Sequence, residues 1–373
     1  MKSQPPSIAI VGAGLIGRLA AVYLARKGYN ITLLDKDDQL AHHSAAYAAA
    51  GLLTPLGEAM HSEPNIVEMG FESLKLWPEI LASLNGYTYF QQQGALMVCH
   101  DQDQSEFVRF TRYIQNYYPQ HQVEHLNRQQ MLTLEPELGR SFHQGIYLPA
   151  EGQIGNRKLL VALTEELNSL KVNWLTNTNV TAIYQSESSA TVTYNSVKLD
   201  ADLVIDCRGA GARRAEAPLD AKPLNDLRGV RGEVFQLFAP DVHLNRPVRL
   251  MHPRYQLYIA PKTKGFYVVG ATEIESDDDS PMTVRSAMEL LSAAYSVHPG
   301  FAEANIRQHL SHLRPAFSDN QPKIIKDTNL IQVNGLYRHG FLIAPVVLQQ
   351  LLSTVEQQLG NHALAPYQHL LPV

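Results

Sequence analysis

The chain has 373 residues, 45% hydrophobic and 18% charged, with a net charge of −5. That length allows two domains or one large one. The composition is that of a soluble globular protein, and the acidic balance without a basic run argues against a nucleic-acid partner. Cys99 and Cys207 are too far apart for a redox or metal pair, which favours a reducing, cytoplasmic setting. The leader Met1 to Pro6 is too short and polar for a signal peptide, and no stretch nears the roughly 18 apolar residues of a membrane span. The histidines are scattered without a His-Glu-x-x-His motif, so no metal is expected.

The strongest local signal comes first. Ile8-Ala9-Ile10-Val11 reads as a strand and runs into Gly12-x-Gly14-x-x-Gly17, followed by a helical pattern from Arg18 to Lys27. Gly12 permits the sharp turn, Gly14 admits a pyrophosphate, and Gly17 lets the helix pack on the strand. Leu15 and Ile16 complete the turn, and the helix N-terminus faces the phosphates. A second strand, Ile31 to Leu34, ends at Asp35, placed for the ribose hydroxyls, with Lys36 beside it. This unit binds an adenine dinucleotide and by itself leaves FAD and NAD open. The small, uncharged run Ser44 to Pro55 then predicts a helix start. Either it makes a close helix contact, or Ala49, Ala50, Gly51 and Leu52 lie under a flat cofactor with Ser44 near the phosphates. The second reading is preferred because the run follows the dinucleotide unit.

Further along, helices are predicted over Glu63 to Leu84, Asp101 to Tyr118 and Arg157 to Leu170. Tyr87 to His100 reads as strands, Leu132 to Gly139 as a polar connection, and Gly145 to Pro149 as a short strand. Asn173 to Leu175, Val180 to Tyr184 and Ala190 to Tyr194 read as a small meander. A buried strand, Ala201 to Cys207, ends in a turn containing Gly209. Arg231 to Leu237, Tyr258 to Lys262 and Phe266 to Thr272 suggest an antiparallel sheet, with a helix over Ser286 to Ser296. Leu313-Arg314-Pro315 leads to a strand at Leu330 to Val333, and a last helix covers Leu342 to Leu359. Its N-terminus, a partial positive charge, faces whatever sits at Gly340.

Five segments together carry a family resemblance. They are Gly12-x-Gly14-x-x-Gly17, Ser44 to Pro55, Gly270-Ala271-Thr272, Leu313-Arg314-Pro315, and Tyr337-Arg338-His339-Gly340-Phe341-Leu342-Ile343-Ala344-Pro345. In this order the chain resembles the D-amino-acid oxidase (DAO) family, and within it the glycine oxidases of thiazole biosynthesis. The resemblance implies an α/β chain with a Rossmann-like FAD-binding domain built from residues 1–85, 145–225 and 310–373. Residues 86–144 and 226–309 would form an inserted antiparallel-sheet substrate domain over the flavin. It further implies non-covalent FAD and oxidation of a small amino acid or secondary amine, of the glycine, sarcosine or D-amino-acid type. Hydride would pass from Cα to flavin N5, the imine would hydrolyse, and O2 would accept the electrons to give H2O2. The same fold could instead pass electrons to a quinone or carrier, or act on a protein or tRNA. A homo-oligomer is compatible with this reading.

Since the flavin carries the chemistry, no catalytic side chain is expected; the protein supplies orientation and a charged pocket. By resemblance, Arg314 is the carboxylate clamp, suited by its two parallel N–H donors, and Tyr258 is its hydroxyl partner. Arg338 would hold substrate, flavin or only its loop. Val180 would meet the adenine side through its backbone, while His339, Gly340, Phe341 and Leu342 would border the flavin. Glu273 departs from the resembled pattern, where an apolar residue is common. It would receive an ammonium or basic group unless its register turns it to solvent, in which case Glu275 competes.

Overall fold

The computed structural model describes residues 5–138, 142–214, 224–253 and 256–372. Gly139 of the polar connection and residues 215–223 of the expected 145–225 segment lie outside the described residues. An uninterrupted apolar run suits a strand covered on both faces. Ser7–Val11 accordingly sits inside a six-stranded sheet. Across that sheet the order is Lys323–Lys326, Leu330–Asn334, Leu203–Asp206, Ser7–Val11, Asn30–Leu34, Asn173–Leu175. All pairings are parallel except that of the edge strand Lys323–Lys326. Alternate residues of the central strand serve two cores. Ile8 and Ile10 join the helices Leu15–Arg26, Pro64–Ala82, Asn156–Ser169 and Gly340–Gln358, while Ala9 and Val11 meet Val180, Val192 and Val204.

A nine-stranded, mostly antiparallel sheet forms the second layer. Its path runs Ile274–Glu275, Arg228–Phe238, Phe266–Gly270, Leu257–Pro261, Val248–Leu250, Ala95–Val98, Gln144–Leu148, Glu124–Asn127, with Asn305–Ala316 also pairing Arg228–Phe238. The α/β class with a second antiparallel sheet is as expected.

Several local expectations change. The helix start expected in Ser44 to Pro55 is present with Ser44 as its cap, but that helix spans only Ala45–Ala48, and another opens at Pro55. Gly51 then turns at φ +69°, where a Cβ would lie 2.3 Å from the Ile154 carbonyl oxygen. Leu52–Leu53 pairs with Gly152 and Gln153, so a tertiary strand partner overrides alanine's helix preference. Leu132 to Leu134 closes the helix Arg128–Leu134, started by a capping box at Asn127, instead of connecting elements. Asn173–Leu175 leaves the expected meander for the edge of the parallel sheet, and Val197–Ala201 replaces it. The strand Asn305–Ala316 is far longer than its sequence suggests, because its exposed first half is held by pairing along Arg228–Phe238.

Candidate active site

A cavity of about 850 Å3 runs from the end of the first strand to the start of the last long helix. Of the residues expected to hold a cofactor, only Gly17 is absent from its lining. A Cβ at Gly17 would sit 1.8 Å from the Gly12 carbonyl oxygen, so Gly17 serves helix-on-strand packing and not contact. Gly12 has φ +101°, and a Cβ there would meet the Cys207 carbonyl oxygen at 2.6 Å. Gly14, by contrast, faces open space; Ser44 Oγ, 3.6 Å from its Cβ position, is the nearest atom. No side chain caps the helix that begins at Leu15, which leaves its first N–H groups for a ligand.

Other expected residues complete this end. Ser44 Oγ accepts from the Ala46 N–H at 3.1 Å, starting its own short helix. Asp35 accepts from the Ala13 N–H and, at 2.7 Å, from the Asp37 N–H, which fixes its carboxylate beside the glycine turn. Burial pushes the Asp35 pKa up. Lys36, Val180 and Gly209 line the same end. The Val180 carbonyl faces Arg208 at 3.5 Å, and Arg208 is tied to Asp206 at 2.8 Å. Arg18, unremarked in the sequence, is fully buried and donates to the Ala13, Leu160 and Gln39 carbonyls, bracing the loop after Asp35.

At the other end Ala49, Ala50, Gly51 and Leu52 form one wall and Gly340, Phe341 and Leu342 another. Pro345 lacks an N–H, so the Phe341 carbonyl loses its helical partner. The Trp77 indole N–H supplies one at 3.0 Å and locks the helix start into the core. No side chain caps that helix at His339, and the Cβ position at Gly340 has nothing within 4 Å. His339 is buried, which pushes its pKa down to about 4 and leaves it neutral. Helix N-termini without side-chain caps at both ends, small residues between them and an acid at the strand end fit an elongated cofactor. Such a cofactor carries a pyrophosphate at one end and, at the other, a ring able to take negative charge.

The remaining wall comes from the nine-stranded sheet. Arg314 stands opposite Val230, and its guanidinium crosses Gly232, where a Cβ would lie 2.3 Å from Cζ. It donates to the Thr272 carbonyl at 3.1 Å and has no carboxylate partner among the described residues. Tyr258 pairs with Gly270, whose Cβ would fall 2.8 Å from the Tyr258 hydroxyl. Two glycines on neighbouring strands thus make room for Arg314 and Tyr258. Burial raises the Tyr258 pKa, so the phenol keeps its proton.

Glu273 lines the cavity while its side chain stays 47% exposed, and its carboxylate is occupied. Oε1 accepts from the Tyr337 hydroxyl at 2.7 Å, and Oε2 pairs with Arg338 Nη1 at 2.7 Å. Glu275 pairs with Arg228 at 3.0 Å and lies outside the cavity lining. Arg338 also donates to the His61 carbonyl at 2.8 Å and meets Glu58 at 3.1 Å.

The sequence reading missed a buried cluster behind this wall. Arg249 pairs with Glu58 and donates to the Gly57 carbonyl. Burial opposes ionisation of Glu58, yet Arg249 and Arg338 hold its pKa well below the usual carboxylate range. Glu151 is fully buried and accepts from the Gly57 N–H at 2.8 Å; burial pushes its pKa up to about 8. The Lys262 ammonium donates to the Ala50 carbonyl at 2.6 Å, Gln153 Oε1 at 2.9 Å and the Ile154 carbonyl at 3.2 Å, behind the alanine wall. Burial lowers its pKa to about 7. No local motif announces these residues, because each is defined by a partner distant in sequence. Among the described residues no group of three His, Cys, Asp or Glu side chains is set to hold a metal, and no helix is long and apolar enough to cross a membrane.

A dinucleotide turn, two uncapped helix starts and a guanidinium-bearing sheet around one elongated cavity define a flavin-dependent oxidoreductase. The sequence pattern of the FAD-dependent oxidoreductase (DAO) family matches residues 7–350, and the chain belongs to that family. It is 35% identical over 340 residues to a putative thiamine biosynthesis oxidoreductase, ThiO, of Rhizobium etli, covering 91% of this chain and 93% of that protein. It is 25% identical over 370 residues to a glycine oxidase of Geobacillus kaustophilus, covering 96% of this chain and 95% of that one. The crystal structure of glycine oxidase from Geobacillus kaustophilus superposes with a TM-score of 0.84 at 22% identity, over 100% of this chain and 99% of that one.

Proposed function

We propose that this enzyme oxidises a small amine carrying a carboxylate, of the glycine, sarcosine or D-amino-acid type. The observation that carries the reading is the charge state of the sheet wall. Arg249 and Arg338 are each paired with a carboxylate, whereas Arg314 has none among the described residues. A half-buried guanidinium without a counter-ion gains more from an opposite charge than one in open water, and a substrate carboxylate supplies that charge. The name of the Geobacillus relative, a glycine oxidase, supports the same class, and that of the Rhizobium relative supports an oxidoreductase.

In this reading Gly12, Gly14, Leu15, Ile16, Asp35, Lys36, Ser44, Ala49 to Leu52, Val180, Gly209 and Arg338 to Leu342 hold FAD. When bound, FAD supplies the acceptor for a hydride from the substrate Cα and hands the electrons to O2. The chain's own part is orientation. Arg314 binds the carboxylate through two N–H donors, and the Tyr258 hydroxyl donates a third bond, so that Cα is presented in one pose. The start of the helix at Gly340 places a fixed positive end beside the ring. The imine product is released for hydrolysis. The FAD part would comprise the six-stranded sheet with its helices. The substrate part would include Gln144–Leu148 and Asn305–Ala316, which pair in the larger sheet.

Arg314→Ala should lower kcat/KM for a carboxylated amine by about 2 kcal/mol or more, roughly 30-fold, while FAD stays bound. Stopped-flow flavin reduction without oxygen measures this. Unchanged reduction by the variant rejects the clamp, and failure of every carboxylated amine to reduce the wild-type flavin rejects the class. Stoichiometric peroxide on readmitting air tests O2 as the acceptor.

A further inference from the structure

We propose that Glu273 restricts the substrate to amines bearing a single carboxylate and turns dicarboxylates away. The inference rests on the Arg314 clamp just described and concerns what the substrate carries beyond it. The cavity continues past the clamp. A second cavity of about 580 Å3 shares Tyr258, Thr272, Glu273 and Arg338 with the first. A substrate anchored on Arg314 and larger than glycine has its free volume there, and to reach it passes Glu273.

The charges along this passage are nearly matched: on the far wall Arg109 pairs with Glu106 at 2.8 Å, and Arg285 and Glu289 are one of each sign. Arg249 and Arg338 both contact Glu58, and Arg338 also holds Glu273. With Arg314, three guanidinium groups face two carboxylates, and the one left unmatched is Arg314. His339 adds no charge at neutral pH. Glu273 is ionised: burial opposes its charge, but Arg338 and the Tyr337 hydroxyl lower its pKa. Because both its oxygens are engaged at 2.7 Å, the carboxylate is fixed in place and the Arg338 guanidinium is not available to a second carboxylate. A first carboxylate at Arg314 completes the balance. A second one beyond it meets the half-exposed Glu273 carboxylate, a like charge whose own cation is already taken. Glu273 thus acts as a specificity residue by occupying Arg338, without serving as an ammonium receptor.

The test compares sarcosine, with one carboxylate, and iminodiacetate, with two, in anaerobic flavin reduction by the FAD-loaded enzyme. Wild type should prefer sarcosine in kcat/KM by at least about tenfold, and Glu273→Gln should shift the ratio toward iminodiacetate by about tenfold or more. Tyr337→Phe removes a hydrogen bond to Glu273 but keeps its charge, and should leave the ratio near that of wild type. Equal use of both amines by wild type, an unmoved ratio in Glu273→Gln, or an equal shift in Tyr337→Phe overturns the proposal. If Glu273→Gln does not fold, the wild-type ratio decides. If no carboxylated amine reduces the flavin, amine oxidation is the reading that falls; in that case, or if sarcosine alone fails, calorimetric binding of acetate and malonate decides this one. Wild type should then bind acetate more tightly and Glu273→Gln should favour malonate; tighter malonate binding by wild type overturns the proposal.

Discussion

The two ends of the long cavity are built on different principles. The dinucleotide end is made of backbone. Gly12, Gly14 and the first turn of the Leu15–Arg26 helix belong to one short segment, and Asp35 closes it from the next strand. The substrate end is made of side-chain charges: Glu58, Arg249, Glu273, Arg314 and Arg338 come from five separate stretches. Backbone N–H groups are identical whatever the sequence, so glycine spacing alone can specify a phosphate cradle. A charge acquires its meaning from its partner, and the fold chooses the partner.

The sharpest way to break this contrast is at the backbone end. Gly17→Val places a branched side chain where even a Cβ lies 1.8 Å from the Gly12 carbonyl oxygen. It should abolish folded protein, whereas Gly14→Ala, with its nearest neighbour at 3.6 Å, should fold and lose FAD affinity. Circular dichroism and flavin content separate the two outcomes. If both variants fold equally well, the helix–strand contact is not decisive.

At the charged end, Arg249→Met leaves Glu58 with one of its guanidinium partners gone and should cost about 3–5 kcal/mol in denaturant unfolding. The double variant Glu58→Gln/Arg249→Met should recover most of that loss. No recovery would mean that Arg249 matters for packing rather than for its pairing.

A smaller effect sharpens the comparison through pH. The folded-state pKa of Glu151 is raised from 4.5 to about 8. Its contribution is therefore fully present below about pH 4.5 and is lost as pH rises through about 8. Relative to Glu151→Gln, wild-type stability should fall across that window, by no more than about 1.4 kcal/mol per pH unit. Parallel stability curves for the two proteins would show that Glu151 keeps an ordinary carboxyl in the fold.

Much of the architecture is legible locally. The two-faced strand Ser7–Val11, the amphipathic helix Pro64–Ala82 and the hairpin pairing of Leu257–Pro261 with Phe266–Gly270 follow from residue pattern. The alanine-rich run at Ser44 to Pro55 misleads, since its helix preference yields to strand pairing with Gly152 and Gln153. Asn305–Ala316 is hidden for the opposite reason: its strand character resides in its long partner Arg228–Phe238 and not in its own residues. The site divides in the same way. Arg314 and Tyr258 are found through a motif resemblance, but Gly232 and Gly270, which make room for them, carry no signal until the strands are aligned.

By itself, the sequence determined the dinucleotide turn, the α/β class and the family, because each depends on residues that are neighbours in the chain or on motifs in a set order. Tertiary structure alone decided that Glu273 faces Arg338 while Glu275 faces Arg228, and that Glu58 and Arg249 form a buried pair. Strand register and inter-sheet contact fix which charges meet, and the strength of a charge in a buried site depends on that meeting.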